Sequence, residues 1–398
     1  MESISKNHLK CRCCGSDKLT MYLDLGLIPL ANNLCNSKDE AINAERFPLQ
    51  VMLCEDCNLS QLSEVVDPNV LFSYYTYRSS VNQGYIDHCR KMAIELRDKY
   101  KLNSDSFHID IAGNDGTLLC EFNTILDHNC LNVDPAKNLC EIANKRGIKS
   151  IPKFWDLEIG HYYSNSADLI TATNVFAHLD NVTEFLQACK IALKDDGVLV
   201  IENPYWPVTM QGNQFDQVYF EHVSYWSIRP MAKLCRKAGL YLNWCTFQDI
   251  HGGSMRYEIS KINDSYDLGF SGKLFDLKDH QDWGNSIQSI RNEIREGIKS
   301  LNGSIVGFAA SAKGNTLLNY CGIDHTIIDF ICDETPEKIG KYSPGTGIEI
   351  KGLEAIIEAQ PDYILILSWN FKEHIIDKLK PLCPKSKFIL PIPKFEIV

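Results

Sequence analysis

The order of apolar runs and glycine-bearing turns predicts an α/β protein. It should comprise a small N-terminal Zn-binding module, a central doubly wound Rossmann-like domain and a C-terminal Rossmann-like α/β domain. Three observations carry this expectation. Two C-x-x-C pairs, Cys11/Cys14 and Cys54/Cys57, lie close together near the start of the chain. A strand-like run, a small-residue turn and a helical pattern follow one another twice, from His108 and again from Ile305. Finally, 398 residues exceed one ordinary core; at roughly 150 residues per domain, two or three are expected.

A hydrophobic fraction of 44% with 23% charged residues is that of a globular chain and excludes a disordered or collagen-like one. Forty Lys and Arg against 51 Asp and Glu leave a net charge of −11. That balance argues against nucleic-acid binding, which needs clustered cations, but allows a local phosphate pocket. The start, Met1-Glu2-Ser3-Ile4-Ser5-Lys6, lacks an apolar signal-peptide core, and no run of about 18 apolar residues occurs. A soluble, cytoplasmic protein without membrane contact is therefore expected. In a reducing compartment the sixteen cysteines are better explained by metal binding or burial than by disulfides.

In the first module, two C-x-x-C turns can complete a tetrahedral thiolate site, closed by four ligands and hence structural. Cys13 is a spare thiol able to replace Cys11 or Cys14. Leu19–Leu23 and Phe47–Leu53 read as short strands. The other eleven cysteines are scattered through apolar segments, as small core residues would be.

A helix is expected over Gly84–Tyr100. His108–Ala112 reads as a strand, 113–116 as a turn and Thr117–Phe122 as the start of a helix. Cys130–Asp134, Asp168–Ala172 and Gly197–Glu202 are further strands, with a helix at Val182–Leu193 and a strand at Tyr257–Ser260. Such alternation means a parallel, doubly wound sheet. After a polar linker at 262–272 and a long helix at 279–301, a second unit begins: strand Ile305–Ala309, turn 310–314, helix Asn315–Tyr320, then strands Ile327–Ile331 and Tyr363–Leu367.

Ala112-Gly113-Asn114-Asp115-Gly116 joins strand to helix, where backbone N–H groups and a helix N-terminus favour an anion. It is not G-x-G-x-x-G. Asp134 ends the next strand, placed for ribose hydroxyls, so S-adenosylmethionine (SAM) and NAD both fit these residues. Asn174 and His178 follow a strand at the ligand-binding edge, and Tyr219-Phe220-Glu221-His222 offers a hydroxyl, a carboxylate and a base. His251-Gly252-Gly253-Ser254 forms another polar loop. Lys313, in the second small-residue turn, suits a diphosphate.

Together these motifs resemble the sugar C-methyltransferases of deoxysugar biosynthesis over essentially the whole chain. The matching residues are Cys11/Cys14 with Cys54/Cys57, Tyr75-x-Tyr77-x-Ser79-Ser80, Asn114-Asp115-Gly116, Asp134-Pro135, Glu221-His222, His251-Gly252-Gly253-Ser254, the run 310–316, the run 342–346 and Leu367-Ser368-Trp369-Asn370. The resemblance implies a Zn domain at 1–75, a SAM domain at 76–262 and a nucleotide-sugar domain at 263–398. It implies C3 methylation of a dTDP- or GDP-linked 4-keto-6-deoxyhexose, with C5 methylation as the alternative within the family and an NAD-dependent oxidoreductase or epimerase as the alternative outside it. His222 is implied as base, oriented by Glu221, with Tyr219, His178 and either Tyr75 or Tyr77 around the sugar. SAM is assigned to Ala112, Gly113, Asn114, Asp115, Gly116, Asp134 and Asn174. The substrate is assigned to His251, Lys313, Asn315, Tyr342 and Trp369. A monomer or weak dimer is expected. One departure stands out: the family's Gly-Ser is Ala112-Gly113 here, so the glycine is displaced by one residue. The turn is expected to keep its flexibility and to change its approach to the methionine carboxylate.

Overall fold

The computed structural model describes residues 4–72, 77–264 and 275–398; Tyr75 and most of the expected 262–272 linker lie outside these. Three main sheets are present. The N-terminal one contains Leu19–Pro29, Arg46–Cys54 and Ser60–Leu62, antiparallel throughout, and is joined at its edge by Ser224–Tyr225 from much later in the chain. Each cysteine knuckle closes on a left-handed residue, Gly15 (φ +81°) and Asn58 (φ +67°). Their N–H groups donate to the carbonyls of Cys11 and Cys54, which bends the two C-x-x-C turns alike.

The central sheet has seven strands: β1 (Phe107–Ile111), β2 (Asn129–Val133), β3 (Ser150–Ile151), β4 (Ala167–Thr173), β5 (Leu193–Pro204), β6 (Tyr241–Gln248) and β7 (Ser254–Ser260). Their spatial order is 3-2-1-4-5-7-6, parallel except for β7 and its partner contacts with β5 and β6. The apolar run Val198–Ile201 lies buried in the middle, as a parallel strand covered on both faces requires. Ile109 and Ile111 face one helical layer that includes Phe185, Leu186 and Leu234. On the opposite face, Leu169, Val198 and Val200 meet Tyr85, Met92, Leu96 and Phe122. Chain connections diverge on either side of β1 and β4, which opens a crevice at their carboxyl ends, where ligands bind in doubly wound sheets.

The C-terminal sheet contains β8 (Ile305–Phe308), β9 (Ile331–Cys332), β10 (Tyr342–Ser343), β11 (Ile348–Lys351), β12 (Tyr363–Ile366), β13 (Lys387–Leu390) and β14 (Glu396–Ile397), in the order 10-11-9-8-12-13-14. The strand expected from Ile327 is shorter. Ile327 and Ile328 turn back to the Asp324 carbonyl, and ladder bonds begin only where Asp329 N–H donates to Ile305 O. The helix after β8 starts at Ala312, not at 315, because the Ser311 side chain accepts from Gly314 N–H and caps it.

The long helix Leu277–Lys299 begins at a capping box formed by Asp276 and Asp279. It crosses the N-terminal sheet at Gly284, where a Cβ would overlap the Tyr22 carbonyl. The adjacent residue, Trp283, packs on Trp206, whose ring also meets Tyr225. A single buried apolar cluster therefore runs from the N-terminal sheet through Trp206 and Trp283 into the C-terminal sheet. Of the eleven scattered cysteines, Cys120, Cys130 and Cys245 are half-buried and the other eight buried, as core filling predicts.

Candidate active site

Beyond β1 the backbone turns sharply. Ala112 (φ +53°), Asn114 (φ +56°) and Gly116 (φ +77°) are left-handed, whereas Gly113 is not. The expectation that the displaced glycine supplies the turn's flexibility is thus corrected. A Cβ at position 113 would overlap Asp110 Oδ2 and lie 2.6 Å from Asn132 Oδ1. Glycine is required there for space, and the strained conformation falls on Ala112 instead. Gly113 N–H donates to Asn132 Oδ1 (3.1 Å) and Asn114 N–H to Asp134 Oδ2 (2.9 Å), which ties the turn to β2. Asp134 also accepts from Ala136 N–H, and burial pushes its carboxyl up to about 6.

Asn114 and Asp115 work mainly as braces. Asn114 Oδ1 accepts from Ser79 N–H and its amide donates to the Tyr77 carbonyl. Asp115 accepts from Thr117 Oγ1 and Ser80 N–H and pairs with Arg146. They hold the tyrosine-bearing segment against the turn; Tyr77 itself is 38% exposed. Asn174, also left-handed (φ +56°), donates its N–H to Glu202 O beyond β4. Asp110, which the sequence did not single out, is fully buried with Oδ2 unpartnered and Oδ1 accepting from Thr171. Burial raises its carboxyl to about 7. A tight turn leading into the N-terminus of a nine-residue helix, with Asp134 at the neighbouring strand end and an orphaned carboxylate oxygen of Asp110 beneath, fits the charged methionine moiety and ribose of SAM.

Across the crevice, His222 stands between two fixed partners. Its Nδ1 lies 2.9 Å from the Gln217 carbonyl, which can only accept, so Nδ1 carries the proton. The Nε2 lone pair then accepts from the Tyr219 hydroxyl at 2.7 Å. The His178 ring stacks on His222 (5.2 Å between centroids) and on Phe72 (5.3 Å). Burial drives His222 well below the ordinary imidazole range, helped by the nearby His178. It also lowers His178 to about 4 and His251 to about 3. All three rings are neutral at physiological pH.

The orienting role expected of Glu221 passes to the Gln217 carbonyl. Glu221 Oε1 instead accepts from Asn32 Nδ2 (2.8 Å), a residue of the N-terminal module, and Oε2 is buried without a partner. Burial raises this carboxyl above its usual range. Neither Asn32 nor Gln217 has a sequence signal; both are ordinary amides that long-range folding brings to the pocket.

Lys313 reaches the same pocket from the C-terminal domain. Its Nζ donates to the His251 carbonyl (3.2 Å) and lies 6.0 Å from the Trp369 ring centre. Trp369 Nε1 donates to Asp216 Oδ2 (2.7 Å), whose Oδ1 is unpartnered. Burial lowers Lys313 to about 8 against the pull of Asp216. Asn315 and Tyr342 are engaged differently. Asn315 donates to Ser343 Oγ and Pro344 O and so braces that loop, while the Tyr342 backbone pairs with Cys35.

At the knuckles, the Sγ atoms of Cys11, Cys14, Cys54 and Cys57 all lie within 4.8 Å of one another. The pairs Cys11–Cys57 and Cys14–Cys54 are 3.4 and 3.6 Å apart. Zn–S bonds of 2.3 Å in a tetrahedron need edges of about 3.8 Å, so the four fit a structural zinc. Cys13 is not a substitute ligand: its Sγ points to the Pro230 carbonyl.

A strand order with its crevice at β1 and β4, a SAM-shaped turn and a four-cysteine zinc knuckle define a zinc-containing, SAM-dependent methyltransferase. Family models agree along the chain: "Putative zinc binding domain" matches residues 11–72, "Methyltransferase domain" 85–243, and "C-methyltransferase C-terminal domain" 249–393. The C-methyltransferase NovU of Streptomyces niveus is 31% identical over 415 aligned positions, covering 100% of this chain and 99% of NovU. This chain belongs to the C-methyltransferase family. Among solved structures, a geranyl diphosphate methyltransferase in complex with SAM (10% identity, TM-score 0.37, 46% of this chain and 92% of that one) and the mitomycin 7-O-methyltransferase MmcR (16%, 0.36, 44% and 54%) are similar too loosely to bear on function. Among the described residues no helix is long and apolar enough to cross a membrane.

Proposed function

We propose that the protein methylates C3 of a nucleotide-diphosphate-linked 4-keto-6-deoxy sugar, with His222 as the base. The observation that carries this reading is the neutral imidazole whose Nδ1–H is pinned to Gln217 O, so that the Nε2 lone pair, which accepts from the Tyr219 hydroxyl in this structure, is the basic atom once that hydroxyl turns to the substrate. A 4-keto group acidifies the C3–H bond. Nε2 takes that proton, and the electron pair moves onto the keto oxygen as an enolate. SAM, when bound, would supply an electrophilic methyl group, to which C3 bonds as the methyl–sulfur bond breaks, its electron pair leaving on sulfur as S-adenosylhomocysteine and the 4-keto group re-forming. The Tyr219 hydroxyl, beside His222 Nε2, would donate to the developing enolate oxygen, and the unpartnered Glu221 Oε2 would accept from a sugar hydroxyl.

Lys313 supports a diphosphate-bearing substrate. It is a half-buried cation in the first turn of a helix, where the helix dipole opposes a positive charge and an anionic ligand relieves both its desolvation and that opposition. The domains at 1–75, 76–262 and 263–398 then carry zinc, SAM and nucleotide respectively.

Incubating a panel of dTDP- and GDP-linked 4-keto-6-deoxy sugars with SAM, with mass and position of the added methyl read out, tests the reaction. His222→Asn is expected to lower kcat by roughly 10²- to 10⁴-fold and to abolish solvent-deuterium exchange at C3. Near-full transfer by that variant would remove His222 from the role of base. Lys313→Glu is expected to weaken binding of dTDP or GDP; equal affinity would refute the diphosphate contact. Methyl found at C5 would replace the C3 assignment.

A further inference from the structure

We infer that Arg12, within the first zinc knuckle, is a positioning residue for both histidines of the pocket. Its side chain is fully buried although it sits between the ligands Cys11 and Cys14. From there it makes three directed contacts. Its backbone N–H donates to Gln61 Oε1 (2.9 Å), Nη1 to the Leu62 carbonyl (3.2 Å) and Nε to Asp180 Oδ1 (3.2 Å).

Two of these lead to the pocket by short covalent and hydrogen-bonded routes. Asp180 is two residues beyond His178, just past the 3-10 turn Phe176–His178, and is held as well by His8 Nδ1 (3.2 Å) and Lys6 (3.4 Å). Leu62 N–H donates to the carbonyl of Val223, the residue after His222, and Gln61 and Ser60 pair with Ser224 and Tyr225. One guanidinium therefore ties the knuckle to the segment carrying each histidine. The two rings stack on each other, so an error in either segment displaces the pair. Packing alone does not call for a buried cation: an apolar side chain fills such space without desolvating a charge or leaving Nη2 unpartnered, as here. The planar fork of arginine, reaching a carbonyl and a carboxylate at once, is what the geometry uses.

This inference rests on the reading of His178 and His222 as the working pair, and its test does not depend on that reading. Full-length Arg12→Met, Arg12→Lys and Asp180→Asn proteins, each verified to hold one zinc, are compared with wild type by amide hydrogen exchange and by kcat and KM. Arg12→Met is expected to speed exchange at least about tenfold in peptides spanning 176–182 and 220–226. Its kcat should fall roughly 10- to 100-fold with KM for SAM little changed, as for a small misplacement of reacting groups. Arg12→Lys should restore part of the loss, and Asp180→Asn should loosen 176–182 alone. If Arg12→Met does not fold, Asp180→Asn decides the matter: unchanged exchange at 176–182 overturns the proposal. So does a zinc-loaded Arg12→Met protein with wild-type exchange in both peptides. Active His222→Asn enzyme would instead overturn the base assignment and leave the exchange results standing.

Discussion

Ala112 and Gly113 divide between them two demands that a single glycine often meets, backbone freedom and room. Holding Ala112 at φ +53° costs about 1 kcal/mol relative to an unstrained residue, and Gly113 leaves space for Asp110 and Asn132. Ala112→Gly is accordingly expected to leave stability unchanged or raise it by up to about 1 kcal/mol, since lost strain is partly offset by unfolded-chain entropy. Gly113→Ala should destabilise by more than about 2 kcal/mol and weaken SAM binding, because the atoms it meets are buried and hydrogen-bonded. Denaturant melts and calorimetry with S-adenosylhomocysteine would measure both; a harmless Gly113→Ala contradicts the steric account. His222 supplies a pH signature. Its folded pKa lies well below 6.5, so the neutral, competent form persists as pH falls through 6.5 and is lost only below it. The acid limb of kcat/KM for the sugar should therefore fall below pH 6.5, and a limb at or above that value, traced to His222, would show that the pocket does not depress it.

Elements place these side chains through their ends. β1, β2 and β4 deliver Ala112, Asp134 and Asn174 to one edge of the central sheet, and the stretch after Trp206–Gln211, with its 3-10 turn Phe215–Gln217, leads into the Tyr219–His222 segment. The long helix Leu277–Lys299 secures the other side by close approach to the strand Leu19–Pro29 at Gly284. Gly284→Ala has to push helix and strand apart against backbone rather than a flexible side chain. A loss of roughly 1–3 kcal/mol in a denaturant melt is expected, as for overpacked cores; wild-type stability would mean that the helix shifts freely. Strand and helix positions in the two α/β units are legible in the sequence because burial on both faces imposes continuous apolar runs such as Val198–Ile201. The segment at Ile327 misleads for a related reason: it is apolar because it is buried, yet it is a turn.

At the scale of the molecule, the zinc knuckle is part of the enzyme core and not an appendage. Cys11, Cys13, Cys54 and Cys57 belong to the same buried cluster as the central sheet, and the N-terminal sheet is completed by Ser224–Tyr225. Removal of zinc with a chelator, confirmed by metal analysis, should lower the Tm by several degrees and reduce methyl transfer together. Loss of zinc with both unchanged would make the module dispensable.

The four clustered cysteines, the turn after β1 and the Tyr219–His222 contact were legible in the chain because each depends on residue types at short spacing. Tyr219 and His222 meet within a few residues, and a C-x-x-C turn is local by nature. What holds them in place is decided only by tertiary structure. Gln217 O fixes the His222 tautomer, Asn32 holds Glu221, Asp216 holds Trp369, and Arg12 reaches Asp180 across 168 residues of chain. These contacts join common amides, carboxylates and backbone atoms whose types carry no signal. Their meaning comes from burial, which makes each unpaired polar group costly and so forces long-range partners together.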